Sequence, residues 1–366
     1  MSSEQGRIGG KQRGLIFGMV ALAGALLFTS LVLLSSGVNP LEAYQLIFLG
    51  SFSSPIRMSD MVMLGAPLIL CSAGLTLTFA AGLYNLGIEG QMIIGAVAAM
   101  LPLRLFSDLP VPLLWLLAFT CGAAGGAAWA LLAGGLRIGL RVNEIFAGLG
   151  LNFLASGIAL YLVLGPWRRV GQASSSGTQP LPTDLWLPTL DKLRLAPAAP
   201  IIALLALAAI WFAVTHTRWG LELRAVGMNP QAAGRMGIPA TRRLAESFAA
   251  CGAMAGLAGT IQVLGVFHQL IPSISSGIGL LALLVVLLVR ANPVWVLPVA
   301  AAFAIFSVGS LQMPLALGAD SSIAGVLQGA IVLFALLGRG LSVTIHTSPR
   351  IQMLTQRRKG AKPSTE

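Results

Sequence analysis

Gly82-Leu-Tyr-Asn85-Leu-Gly87-Ile-Glu89-Gly90-Gln91 stands within residues 58–103, a stretch of 46 positions between Arg57 and Arg104 that holds no basic residue. As straight helix that stretch would run about 69 Å at about 1.5 Å per residue, which is two crossings of a hydrocarbon core about 30 Å thick. The chain must turn back inside it, and the quoted run is the only place to do so. Three glycines free the backbone there, and Asn85, Glu89 and Gln91 bring side chains that can satisfy opened amide groups. Non-helical backbone at membrane depth persists only where protein buries it or a cavity receives it. The run is therefore either a turn on the cytoplasmic side or a helix broken beside a transport path.

The rest of the chain agrees that lipid is the solvent. Of 366 residues 56% are hydrophobic and only 10% charged, against about 25% in a soluble domain, and mean hydropathy is +0.85. This excludes a disordered chain, a secreted disulfide scaffold and an ordinary cytosolic enzyme. Cys71, Cys121 and Cys251 each sit in an apolar run without CxxC spacing and read as small buried hydrophobes. Apolar segments fall near 14–36, 61–82, 87–103, 111–136, 144–165, 198–215, 244–266, 278–290, 294–313 and 321–338. The expectation is an all-α polytopic membrane protein of about ten transmembrane helices, some short or broken.

The net charge of +11 is confined to loops and tails, so it speaks for orientation rather than for nucleic acid. Counted over alternate loops, seventeen Lys and Arg fall on one side and six on the other, and the positive side is cytoplasmic. This predicts a cytoplasmic tail over 1–13, a permeation domain over 14–338 and a basic cytoplasmic tail over 339–366. Within the middle part, 166–197 is an external loop and 216–243 a cytoplasmic one. Both termini are expected to face the cytoplasm.

A second polar, glycine-rich break runs from Phe267 to Gly279 and includes Ser276 and Gly277. Paired interruptions in two halves of a transporter point to inverted repeats with a site between them, although no residue-by-residue repeat is present and an ordinary external loop reads equally well. The two breaks are expected to face each other across a translocation path, with Gly87 and Gly90 permitting the bend. Glu89 either braces the turn or meets solute, as an acid in an apolar stretch suggests. Asn152 reads first as an interhelical hydrogen bond and second as a path residue.

In the cytoplasmic loop, Asn229 before Pro230 starts a helix with a capping side chain and a pre-set φ. Gly237 and Pro239 stop it, leaving about two turns over 230–236, too short to stand alone in water. Here the sequence resembles the permease subunits of ATP-binding-cassette importers of the branched-chain amino acid and simple sugar type. The shared run is Arg224-Ala-Val-Gly227, Asn229-Pro230, Ala232-Ala233 and Gly237-Ile238. Asn85-Leu-Gly-Ile-Glu89-Gly-Gln91 is similar to the motif of the nucleoside-type members, with Tyr84 and Leu86 where Phe and Ile are more usual. The likeness spans about residues 60–338.

That resemblance implies a transport subunit that docks its short helix in a partner ATPase. Glu222, Arg224, Asn229, Pro230, Gln231, Ala232, Ala233, Arg235 and Gly237 would form the coupling element, with Glu222, Arg224 and Arg235 as polar contacts. It further implies a second permease subunit or a homodimer, an external substrate-binding lipoprotein, and a small solute, a nucleoside before a simple sugar. ATP and Mg would belong to the partner. None of the four lysines lies in a phosphate-binding Gly-x-x-x-x-Gly-Lys run, and no histidine pair has metalloprotease spacing, so the reading is transport without a catalytic residue, metal or cofactor of its own. A stand-alone secondary transporter is the other reading; it would need a buried ion relay, for which only Glu89 is available.

Overall fold

The protein is described here by a computed structural model covering Val20 and residues 23–169, 177–190, 193–318 and 320–347, with side chains to residue 337. The expected basic tails at 1–13 and 339–366 lie outside the residues described to side-chain level. In chain order the helices are α1 (Ala23–Ser35), α2 (Pro40–Gly50), α3 (Pro55–Ala80), α4 (Ile88–Leu105), α5 (Val111–Leu140), α6 (Glu144–Leu164), α7 (Ala198–His216), α8 (Arg218–Met228), α9 (Pro230–Arg235), α10 (Ala240–Ile261), α11 (Ile278–Val289), α12 (Val296–Ser310), α13 (Met313–Leu317) and α14 (Ile323–Thr347). No strand occurs among the described residues.

Among the described residues, seven helical spans are long and apolar enough to cross a membrane, and α1 with α2, bent by 111°, makes an eighth if the pair is one span. Helix α11 and residues 323–337 of α14 are apolar but shorter. The described part of each of the ten apolar segments falls on a helix, and the chain is an all-α polytopic membrane protein. Helix α2 was not among the ten, because its eleven residues are fewer than the about 19 positions over which hydropathy is averaged.

The chain divides into two compact units, 51–308 and the combination of residues up to 50 with those from 309. In the first, α3 is buried along nearly all its length from Met63 to Thr78 and packs on α7, α10 and α11. Helices α4, α5 and α10 meet backbone to backbone. A Cβ on Gly256 would overlap the carbonyl oxygen of Gly122, one on Gly252 the carbonyl oxygen of Gly126, and one on Gly95 the Cα of Gly256. Between helices already immersed in lipid, close approach of this kind supplies the dispersion contacts that hydrophobicity cannot. In the second unit, α2 packs on α13, Phe28 and Phe334 meet at 6.3 Å, and the Tyr44 hydroxyl donates to the Leu26 carbonyl at 3.0 Å.

Past α10 the helix continues as a π-turn over Gln262–Phe267, closed by His268 at φ 54°. The loop of residues 177–190 lies on this turn: Leu187 N donates to Leu264 O at 3.0 Å, Leu181 N to His268 O at 2.8 Å and Thr178 N to Leu270 O at 2.9 Å. Trp186 stacks on His268 with ring centroids 3.8 Å apart. Partial burial lowers the pKa of this imidazole, so it favours the neutral form.

Candidate functional site

Helix α3 ends in a left-handed cap. Gly82 takes φ +77°, its N–H donates to Phe79 O at 3.0 Å, and Leu83 N donates to Thr78 O at 2.9 Å, the paired bonds that close orphan carbonyls at a helix end. From there the chain runs irregularly to Gly87 before α4 begins. Asn85 and Gln91 clasp one another: Asn85 Nδ2 donates to Gln91 Oε1 at 3.0 Å and Gln91 Nε2 to Asn85 Oδ1 at 2.9 Å. Asn85 Oδ1 also accepts from Gly87 N at 3.2 Å, and its amide reaches Cys251 Sγ at 3.2 Å.

Asn152 on α6 holds the same segment from the side, donating to Leu86 O and accepting from Gly90 N, both at 2.8 Å. Glu89, 8% exposed, lies in the first turn of α4 and accepts at Oε1 from Leu280 N in the first turn of α11, at 2.9 Å. Its carboxylate thus sits at two helix N-termini, where backbone dipoles favour negative charge. That arrangement makes an acid tolerable in an otherwise apolar setting.

The structure therefore brings Asn85, Glu89, Gln91 and Asn152 together, with Asn85, Glu89 and Asn152 bonded to the chain's own backbone and Gln91 to Asn85. The bend is not where it was expected. Gly87 has an ordinary φ of −77°, and the left-handed residue is Gly82. Gly87 and Gly90 serve close approach instead: a Cβ on Gly87 would stand 3.1 Å from Gly148 Cα, and one on Gly90 would stand 2.9 Å from Asn152 Oδ1 and 3.0 Å from Trp129 Nε1. That indole nitrogen is buried with no hydrogen-bond partner among the described residues. Of the second break, Gly279 meets the first, since its Cβ would lie 2.9 Å from Ile88 Cγ2 and 3.1 Å from Glu89 Cδ. Ser276 and Gly277, at φ 49° and 75°, form the left-handed entrance to α11.

Between α7 and α10, Thr217 caps α8 through Gly220 N, and Asn229 Oδ1 caps α9 by accepting from Gln231 N and Ala232 N at 3.0 Å each. Helix α9 has Pro230 in its first turn and ends one residue earlier than expected, followed by Gly237 at φ +82°. Arg243 on α10 pairs with Glu222 at 2.7 Å and with Glu246 at 2.7 Å, and Trp219 Nε1 donates to Glu246 at 2.7 Å. Glu222, expected to reach a partner, is thus engaged inside the chain, and Arg224 donates from Nε to Gly220 O on its own helix at 3.3 Å. Ala233 is 3% exposed and packs inward, whereas Gln231, Ala232 and Arg235 are exposed, as are Met228 at 83% and Met236 at 81%. The outward face of α9 is carried by residues other than Ala233, and the two methionines were not anticipated. A six-residue helix has too few turns for its faces to be read from periodicity.

Residues 57–336 match the sequence family described as the permease component of a branched-chain amino acid transport system. The chain belongs to this permease family. Three relatives share most of their length with it. A glucose ABC transporter permease protein of Haloferax volcanii is 28% identical, over 87% of this chain and 86% of the relative. A guanosine ABC transporter permease protein of Bacillus subtilis is 28% identical, over 87% and 92%. A nucleoside ABC transporter permease protein of Lactococcus lactis subsp. cremoris is 26% identical, over 88% and 91%. The permease is an ABC transporter permease and an integral membrane protein.

Proposed function

We propose that this permease forms the membrane path of an ATP-driven importer and that its solute is a nucleoside. The observation that carries the reading is the Asn85–Gln91 segment, a break in the helical spans built from the residues of the nucleoside-type motif and held open by Asn152 and Glu89. The guanosine and nucleoside permeases among its relatives support it. A simple sugar is the second reading, favoured by the glucose permease. In this proposal the segment from Asn85 to Gln91, with Asn152 and the turn from Ser276 to Gly279, borders the path. An ATPase that binds Mg and ATP docks on the exposed face of α9. A second permease subunit, like or unlike this one, completes the channel, and an external lipoprotein delivers solute. The orientation rests on the charge asymmetry, with both termini and α9 cytoplasmic.

The test is uptake into proteoliposomes holding the permease with its ATPase and binding protein. Labelled guanosine should accumulate only with ATP on the ATPase side, and excess adenosine should compete where glucose does not. Competition by glucose alone would move the assignment to sugars, and ATP-independent accumulation would make the chain a secondary transporter.

A further inference from the structure

We propose that the contact of Gly227 with the Ala80–Gly82 turn is the relay by which the cytoplasmic helix pair displaces the broken segment and α11. The inference rests on the ATP-driven reading above and assigns residues to its central step. Gly227 lies in the last turn of α8, two residues before the cap of α9. A Cβ on it would overlap the carbonyl oxygen of Ala80 and stand 3.0 Å from Ala81 C and Gly82 N, and a Cβ on Gly82 would stand 2.8 Å from Gly227 O. The nearest contacts here are backbone to backbone, and neither Gly227 nor Gly82 carries a side chain.

That geometry suits transmission. A contact between side chains can absorb a small displacement by changing rotamers, whereas packed main chains are bistable and pass it on. The attachment of α8 to α10 runs through the long side chains of Arg243, Glu222, Trp219 and Glu246 and is correspondingly more compliant. Beyond the contact the path is short and continuous. Gly82 is the left-handed residue of the cap that ends α3; three residues on, Asn85 clasps Gln91. Glu89, between them, holds the first turn of α11. A shift of α9 is therefore delivered, through Gly227, to the cap from which the broken segment starts.

Gly227→Ala in the assembled importer tests this, with guanosine uptake and ATP hydrolysis measured on the same vesicles. The relay predicts that uptake falls about tenfold, an ordinary size for a coupling between sites, while hydrolysis by the partner stays within about twofold, so that solute moved per ATP drops. Unchanged uptake, or uptake and hydrolysis falling together in a complex that still assembles, overturns it. Should the variant not assemble, hydrogen exchange on the unaltered complex decides: amides of residues 82–87 must change protection between the nucleotide-free and vanadate-trapped states. A change confined to α8 and α9 overturns the relay. Uptake that ignores ATP in the unaltered complex would instead remove the reading on which the relay rests.

Discussion

The junction of α4, α5 and α10 and the segment from Asn85 to Gln91 solve the same problem, holding helices together in lipid, by opposite means. At the junction side chains are missing, and the helices approach until backbone atoms touch across Gly95, Gly122, Gly126, Gly252 and Gly256. In the segment the helical ladder is open, and amides and a carboxylate reach across to fill the places of the missing bonds. The first region is held by dispersion, which has short range and no preferred partner. The second is held by hydrogen bonds, which are directional and can be exchanged. A transporter needs both, a body that keeps its shape and a part that can rearrange.

The largest effect is expected at the junction. Gly256→Ala should cost about 3 kcal/mol or more, because the new methyl falls on backbone that cannot rotate away; thermal unfolding of the detergent-purified permease reads it, and an unshifted midpoint would show that the junction is loose. Next comes Asn152→Leu, which leaves the part-buried Gly90 N–H and Leu86 C=O without their partner, at about 1 kcal/mol for each group, the low end for an unmade bond. The same melting experiment applies, and a loss as large as that of Gly256→Ala would erase the contrast drawn between the two regions. Smallest is Glu89→Gln, which keeps an acceptor for Leu280 N and removes the charge. If Glu89 acts as a brace, uptake should fall no more than about threefold, as for a single interhelical polar contact, whereas Glu89→Leu should fall much further. Equal, severe losses in both variants would make the charge itself the functional element.

How much of this was legible in the sequence follows from how local each cause is. The Asn229 cap and the Gly237 stop were legible because a cap is made by residues two or three apart. The turn at Gly82–Gln91 was legible because 46 residues without a basic side chain must fold back. The pairing of Glu222 with Arg243 was not, since it crosses 21 positions and two helices. Nor was the π-turn after α10, whose Leu264 carbonyl is taken by the distant Leu187 N–H. Glycine was counted but not placed: composition reports 43 of them, and only the packing separates the left-handed Gly82 from Gly87 and Gly90, which admit a neighbour.

The glycine contacts also bear on how this chain can be repaired once altered. Where two side chains meet, a change that enlarges one can be offset by a second change that shrinks the other, and the Asn85–Gln91 clasp leaves room for such reciprocal exchange. Between Gly256 and Gly122 no such offset exists, because neither partner has a side chain left to give up. Genetic screens for second-site suppressors should therefore recover compensating changes around the clasp and only true reversion at the junction.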